Sequence, residues 1–213
     1  MNMRKLSLLD RLIITVDQGI NTVFTRRAGQ DYDSPNVTLP VNLTAPEREL
    51  SVRLMRVNHA GEVAAQALYR GHALTAHMPA VRAHMERAAD EENDHLAWCA
   101  SRIHELGGHT SLLNPLWYAG SLAIGALAGK AGDKWSLGFV AETEHQVVAH
   151  LDEHIARLPE GDAPSRVILE KMRADEARHA KVAIKAGAAP LPGPVKKLMG
   201  LVSRIMTRTA YWI

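Results

Sequence analysis

Glu92 and His95 stand three residues apart in the stretch EENDHLAWC, and Glu176 and His179 repeat that spacing in DEARHA. Three residues along an α-helix is about 300° of rotation, so each Glu and its His project from one face, one turn apart. In both cases that face is otherwise apolar: Val81, Met85, Ala88, Leu96, Cys99 and Ile103 share it in the first stretch, and Leu169, Met172 and Ala183 in the second. The pairs therefore point toward a core. A buried carboxylate without compensation costs several kcal/mol as an order of magnitude, so a metal, a cationic partner or a proton must neutralise it. One Glu-x-x-His alone is also what a surface pair or a satisfied core histidine would give.

Two further glutamates change the weight of the pattern. Glu62, in VNHAGEVAAQ, precedes Glu92 by 30 residues, and Glu144, in AETEHQVVAH, precedes Glu176 by 32. The chain thus reads Glu, then Glu-x-x-His, twice. One Glu from each of two helices and a Glu-x-x-His from each of two others is the ligand set of ferritin-like dinuclear carboxylate proteins. Four carboxylates would balance two divalent ions. Hard oxygen donors with one imidazole per metal suit iron or manganese, whereas a closed zinc site more often contains cysteine.

Glu142 and His145 form a further Glu-x-x-His, but helical phase sets them with Gln146, Ala149 and Glu153, while Glu144 aligns with Val140, Val147, Val148, Leu151 and Ile155. Glu144 is the inward residue. Around the six candidate ligands, Tyr69 lies on the stripe of Glu62 with Met55, Asn58 and Ala65, and is a candidate to support the site. His150 is either a neighbour of the site or an ordinary exposed histidine. His59 falls with Gln66 and Arg70, and is either a neighbour of the site or has no part in it. Cys99, one turn past His95, is either a residue near the site or a small buried hydrophobe, the second being the favoured reading. A structural alternative pairs the buried acids with Arg53, Arg56, Arg173 and Arg178 and needs no metal.

The elements that must position these groups are helices. The chain has 213 residues, 46% of them hydrophobic, yet only two Phe, four Tyr and four Trp. That composition favours helix over strand. The spacing predicts helices at about 46–76, 79–106, 114–129, 133–158, 163–187 and 192–211, with Pro or Gly near the breaks. Thr44 is the expected cap of the first, with Pro46 in its first turn. Residues 1–25 carry an amphipathic pattern (Leu8, Leu9, Leu12, Ile13, Val16), and 26–46 reads as a linker. The division is an N-terminal extension at 1–45 and a ferritin-like domain at 46–213.

A single cysteine and an N-terminus without a signal-peptide pattern make a reducing cytoplasmic setting the expectation. A net charge of +2 with no basic-aromatic pattern argues against nucleic acid. The GALAGKAGD segment lacks the spacing of a phosphate loop, and no dinucleotide fingerprint is present. Residues 115–129 are nearly uncharged but too short for a comfortable span. In 195–213, Val195, Leu198, Met199, Val202, Ile205 and Met206 oppose Lys196, Lys197, Arg204 and Arg208, ending in Tyr211-Trp212. That segment is either a membrane-interface helix or one that packs in the core.

With these motifs placed, the chain resembles the demethoxyubiquinone hydroxylase family of ubiquinone biosynthesis over about residues 48–213. RVNHAGEVAAQALYRGH is similar to the family's first motif, and DEENDHL and DEARHA to its two Glu-x-x-His segments; the Glu144 to His150 spacing also matches. Leu151 stands where several relatives have Tyr. The resemblance implies a ferritin-like four-helix bundle with additional membrane-associated helices, holding two iron ions per chain on Glu62, Glu92, His95, Glu144, Glu176 and His179. It implies a monooxygenase that uses O2 and an external reductant, NADH being the family's suggestion, to hydroxylate the ring of a prenylated demethoxyubiquinol. It further implies a peripheral membrane protein on the cytoplasmic face of the cell membrane, self-associating or in complex with other ubiquinone-biosynthesis proteins. The rival is a ferritin- or rubrerythrin-like protein that stores iron or removes peroxide.

Overall fold

In each of four helices, a glutamate sits midway between two apolar residues, seven positions before it and seven after. These flanking pairs are Met55 and Tyr69 around Glu62, Met85 and Cys99 around Glu92, Leu137 and Leu151 around Glu144, and Leu169 and Ala183 around Glu176, and all eight are buried. Seven residues is close to two helical turns, so the four helices stack matching layers. The computed structural model, which describes residues 7–24 and 42–213, realises those layers as two apolar clusters. Tyr69, Met85, Leu137 and Ala183 lie in one, and Met55, Cys99, Leu151 and Leu169 in the other.

Seven helices make up the described residues: α1 (Leu8–Phe24), α2 (Ala45–Thr75), α3 (Pro79–Glu105), α4 (Asn114–Lys130), α5 (Asp133–Arg157), α6 (Ala163–Lys185) and α7 (Gly193–Ala210). Six match the expected segments within two residues, and α1 forms within the amphipathic N-terminal stretch. Residues 25–41, most of the expected linker, lie outside the described residues. Helices α2, α3, α5 and α6 form the bundle as two hairpins, α2 with α3 and α5 with α6; α4 is the long connection between them.

Local chemistry fixes the ends. Glu47 accepts hydrogen bonds from the Thr44 backbone N–H (2.9 Å) and hydroxyl (2.6 Å) at the start of α2. Asp162 caps α6 by accepting from Ser165 N at 3.2 Å, and the same carboxylate takes a 2.7 Å ion pair from the buried Arg102 of α3. That pairing ties the end of one hairpin to the beginning of the other's second helix.

The back of α2 is buried as well. Gln66, Arg70 and His59, off the stripe of Glu62 by phase, lie inside because α1 and α4 cover them. The cover is tight. A Cβ added to Gly71 would collide with the Leu122 carbonyl of α4, and one added to Gly125 with the Leu68 carbonyl of α2. Backbone meets backbone there, which only glycine permits. Helix α7, by contrast, buries only Ala210, and leaves Leu198, Val202 and Ile205 exposed; the core-packing alternative for it is overturned.

Gly125→Ala should therefore lower unfolding stability by about 1–3 kcal/mol or more, since neither backbone can yield. Gly120→Ala, whose added Cβ meets nothing within 4 Å, should be neutral or stabilising by about 0.5–1 kcal/mol. Denaturant midpoints of the two variants check this contrast.

Candidate metal centre

The layer between the two apolar clusters holds Glu62 of α2, Glu92 and His95 of α3, Glu144 of α5, and Glu176 and His179 of α6, all buried. The structure brings all six together. Two carboxylates are central, and each turns one oxygen to each imidazole. Glu92 Oε2 is 3.0 Å from His95 Nδ1 and its Oε1 is 3.5 Å from His179 Nδ1. Glu176 Oε1 is 3.0 Å from His95 Nδ1 and its Oε2 is 3.1 Å from His179 Nδ1. Glu62 closes one side, 3.5 Å from His95 Nδ1. Glu144 adjoins Glu176 on the other. Donor atoms of Glu62, Glu92, His95 and Glu176 all fall within 4.8 Å of one another.

Of these atoms, His179 Nδ1 and Glu176 Oε2 hydrogen-bond to each other, and most of the others have no such partner. Glu62 Oε2, both oxygens of Glu92, His95 Nδ1, Glu144 Oε2 and Glu176 Oε1 are buried and have no aligned hydrogen-bond partner. Orphaned buried polar atoms are rare in native structures, and a set of them aimed at one point is what a cation requires. The arginine alternative fails by geometry. Arg53 pairs with Glu49, Arg56 donates to the His109 carbonyl, Arg173 pairs with Asp152, and Arg178 reaches only Asp175 and Glu91.

Electrostatics describes the same competition. Burial raises the Glu62 and Glu144 carboxyls well above the usual range, and the neighbouring acids push in the same direction. Burial would lower both imidazoles, but the surrounding carboxylates outweigh it: His95 is raised well above its ordinary value and His179 is pushed up to about 9. Burial likewise works to raise Glu176, and contacts from His179 and His95 overcome it and hold that carboxylate low. Protons are thus held where cations fit, and a metal that binds must release them.

The outer faces of the two histidines are crossed between helices. His95 of α3 directs Nε2 toward Asp175 of α6 at 3.4 Å, and His179 of α6 donates from Nε2 to Glu91 of α3 at 2.8 Å. Each supporting acid directly precedes the central Glu of the opposite Glu-x-x-His. A carboxylate at Nε2 fixes the tautomer and turns the Nδ1 lone pair inward. The sequence reading missed both acids; its signal was the doubled pair, Glu91-Glu92 and Asp175-Glu176.

Tyr69 hydrogen-bonds to Glu144 Oε1. Burial and the charge of Glu144 raise its phenol, which stays protonated as a donor. His150 makes no hydrogen bond or ion pair with any of the six residues; its ring packs on His154, centroids 3.9 Å apart. His154, also missed, is buried and donates from Nδ1 to Asn58 Oδ1 at 3.0 Å. Its position seven residues after Val147 was the available signal. Cys99 is buried, with Sγ 3.7 Å from Met172 Sδ, and Glu142 faces away, pairing with Lys196 of α7 at 2.7 Å.

The fold is similar to a solved dodecameric thioferritin, a bacterioferritin-related protein from Bacteroides fragilis. The TM-score is 0.54 at 20% identity, over 63% of this chain and 82% of that one. In sequence the chain is similar to the 3-demethoxyubiquinol 3-hydroxylase of Nitrosococcus oceani, 60% identical over 211 residues and 99% of both chains. It is also similar to the enzyme of that name from Cupriavidus metallidurans, 64% identical over 167 residues, 78% of this chain and 81% of the relative. A family model described as ubiquinone biosynthesis protein COQ7 matches residues 49–210, the segment of this chain that holds all six converging residues and both crossed acids. The chain belongs to the COQ7 family of ubiquinone biosynthesis proteins.

Proposed function

We propose that this protein is a 3-demethoxyubiquinol 3-hydroxylase that uses O2 and an external reductant, with NADH as the donor to test first. The observation that carries the reading is the buried layer of convergent, unpartnered carboxylate and imidazole atoms, in a chain so similar along its whole length to relatives of that name. Glu62, Glu92 and His95 would hold one iron ion, and Glu144, Glu176 and His179 the other; Glu92 and Glu176 each turn an oxygen to both imidazoles. Bound iron would supply the electrons and open positions for dioxygen activation. Glu91 and Asp175 orient the imidazoles, Tyr69 holds Glu144, and the two apolar clusters keep water from the layer. The 46–213 segment is the hydroxylase domain and 1–45 an extension of it.

We also propose that the protein acts at a lipid surface, on the cytoplasmic face of the cell membrane, where a prenylated quinol resides, with self-association or a complex with other ubiquinone-biosynthesis proteins. No described helix is long and apolar enough to cross a membrane. The exposed apolar residues of α4 and α7, with Lys196, Lys197, Arg204 and Arg208 beside them, suit an interfacial contact.

Elemental analysis after anaerobic iron loading should find two iron ions per chain. Glu144→Ala should lose iron and activity. Glu142→Ala should keep both, because that carboxylate faces α7. Glu91→Gln or Asp175→Asn should weaken iron binding about 10- to 100-fold while the fold persists. Mineral-core accumulation well beyond two ions would favour the storage reading instead.

A strain lacking the protein, with no second hydroxylase, should accumulate the precursor without the C3 ring oxygen. Wild type should restore ubiquinone and His179→Ala should not. Quinone profiling by mass decides. Val202→Asp with Ile205→Asp should reduce binding to liposomes and leave iron content unchanged, since both side chains are about half exposed (45% and 54%).

A further inference from the structure

Helix α1 is seated inside out. Apart from Val23, which packs on the cluster of Val63, Ala67, Leu96 and Tyr118, its small and polar residues face the body: Thr15 and Gly19 are buried, a Cβ on Gly19 would come within 2.7 Å of Tyr118, and Gln18 accepts from Arg70 of α2 at 2.6 Å. Thr22 hydrogen-bonds to Gln66 of α2. The apolar stripe of the same helix points to solvent, with Leu9 66%, Ile13 60%, Ile20 53% and Phe24 72% exposed. These positions follow helical spacing, so they form one continuous ridge. An apolar ridge held outward by polar contacts on its other side needs a covering partner.

Two observations identify the partner's chemistry. First, the ridge belongs to a layer. Helix α4 lies against α1 through Tyr118, and Trp117 of α4 shares an apolar cluster with Val57 and Ala60 of α2 and Ala210 of α7, so α1, α4 and α7 all pack on α2. Leu116 and Leu127 of α4 and Leu198 and Ile205 of α7 are more than half exposed on that layer. Second, the layer is basic. Besides Lys196, which is paired with Glu142, its three helices carry Arg11, Lys130, Lys197, Arg204 and Arg208 against only Asp10 and Asp17, and in sequence Arg4, Lys5, Arg26 and Arg27 flank α1. Apolar ridges with a basic surround match a bilayer surface with anionic headgroups.

We propose that α1, outside the segment matched by the family model, is a dedicated lipid-surface helix that lays Leu9, Ile13, Ile20 and Phe24 into an anionic bilayer and extends the contact of α4 and α7. The inference rests on the reading that α4 and α7 face lipid, and its test separates the two.

The full chain is mixed with vesicles of phosphatidylcholine containing phosphatidylglycerol, and with phosphatidylcholine alone. Ile13→Glu with Ile20→Glu should lower partition onto the anionic vesicles at least tenfold, with iron content and helical circular dichroism unchanged. Ile184→Glu, an equally exposed position on α6 outside the layer, should not change it. Ile13→Cys, a milder change that reports even if the double variant misfolds, can be labelled with an environment-sensitive dye because Cys99 is buried. Its emission should shift to the blue on anionic vesicles and much less on neutral ones. If Val202→Asp with Ile205→Asp releases the protein while the α1 variants bind as wild type and the dye does not shift, the α1 inference is overturned and the lipid reading stands. If the wild type binds no vesicle, both fail. A chain that doubles its mass in solution and reverts to single copies in the Ile13→Glu, Ile20→Glu variant would assign the ridge to self-association and overturn the proposal.

Discussion

Four carboxylates share one buried layer, and the rest of the molecule is arranged around the need to neutralise them. The layer occupies a position that in an ordinary bundle would be apolar, two turns from apolar residues above and below on every helix. Burial keeps the local dielectric low, so each acid feels its neighbours strongly and water cannot relieve it. The two imidazoles supply the only nitrogen donors within reach among the described residues, and each is oriented by an acid from the opposite hairpin. The arrangement is expensive in the absence of positive charge and stable in its presence.

That dependence explains why the packing beyond the layer is so exacting. Glu91 and Glu92 are consecutive and so project about 100° apart; one must reach the outer nitrogen of His179 while the other enters the layer. The same holds for Asp175 and Glu176. A small rotation of α3 or α6 would sacrifice one contact or the other. The Arg102–Asp162 pair and the backbone contact between α2 and α4 are fixed points that resist such rotation.

Much of this could be read from the chain. The six converging residues and the helix limits were legible because a heptad-spaced core interrupted by Glu and His leaves a periodic trace, and because phase alone distinguishes Glu144 from Glu142. The crossed acids were not, since whether a carboxylate beside an inward residue reaches a histidine depends on how two helices pack, which spacing within one helix does not state. The back of α2 was silent for a related reason. Gln66 and Arg70 lie off the stripe of Glu62, and only the packing of α1 and α4, with Gln66 bonded to Asn93 at 2.8 Å, makes that side an interior one. The outward orientation of the α1 ridge was equally hidden, because an amphipathic stripe records that one side differs from the other and is silent about which side meets the body.

The two hairpins give the layer a further meaning. Helices α2 and α3 are neighbours in sequence, as are α5 and α6, so each pair can assemble from local contacts, which is the fast route for a chain. The acids lie on the seam between the pairs, Glu62, Glu92 and His95 from one and Glu144, Glu176 and His179 from the other. A cation held in that layer, as the proposed reading requires, would join two prefabricated halves, so filling the site would double as the closing step of assembly.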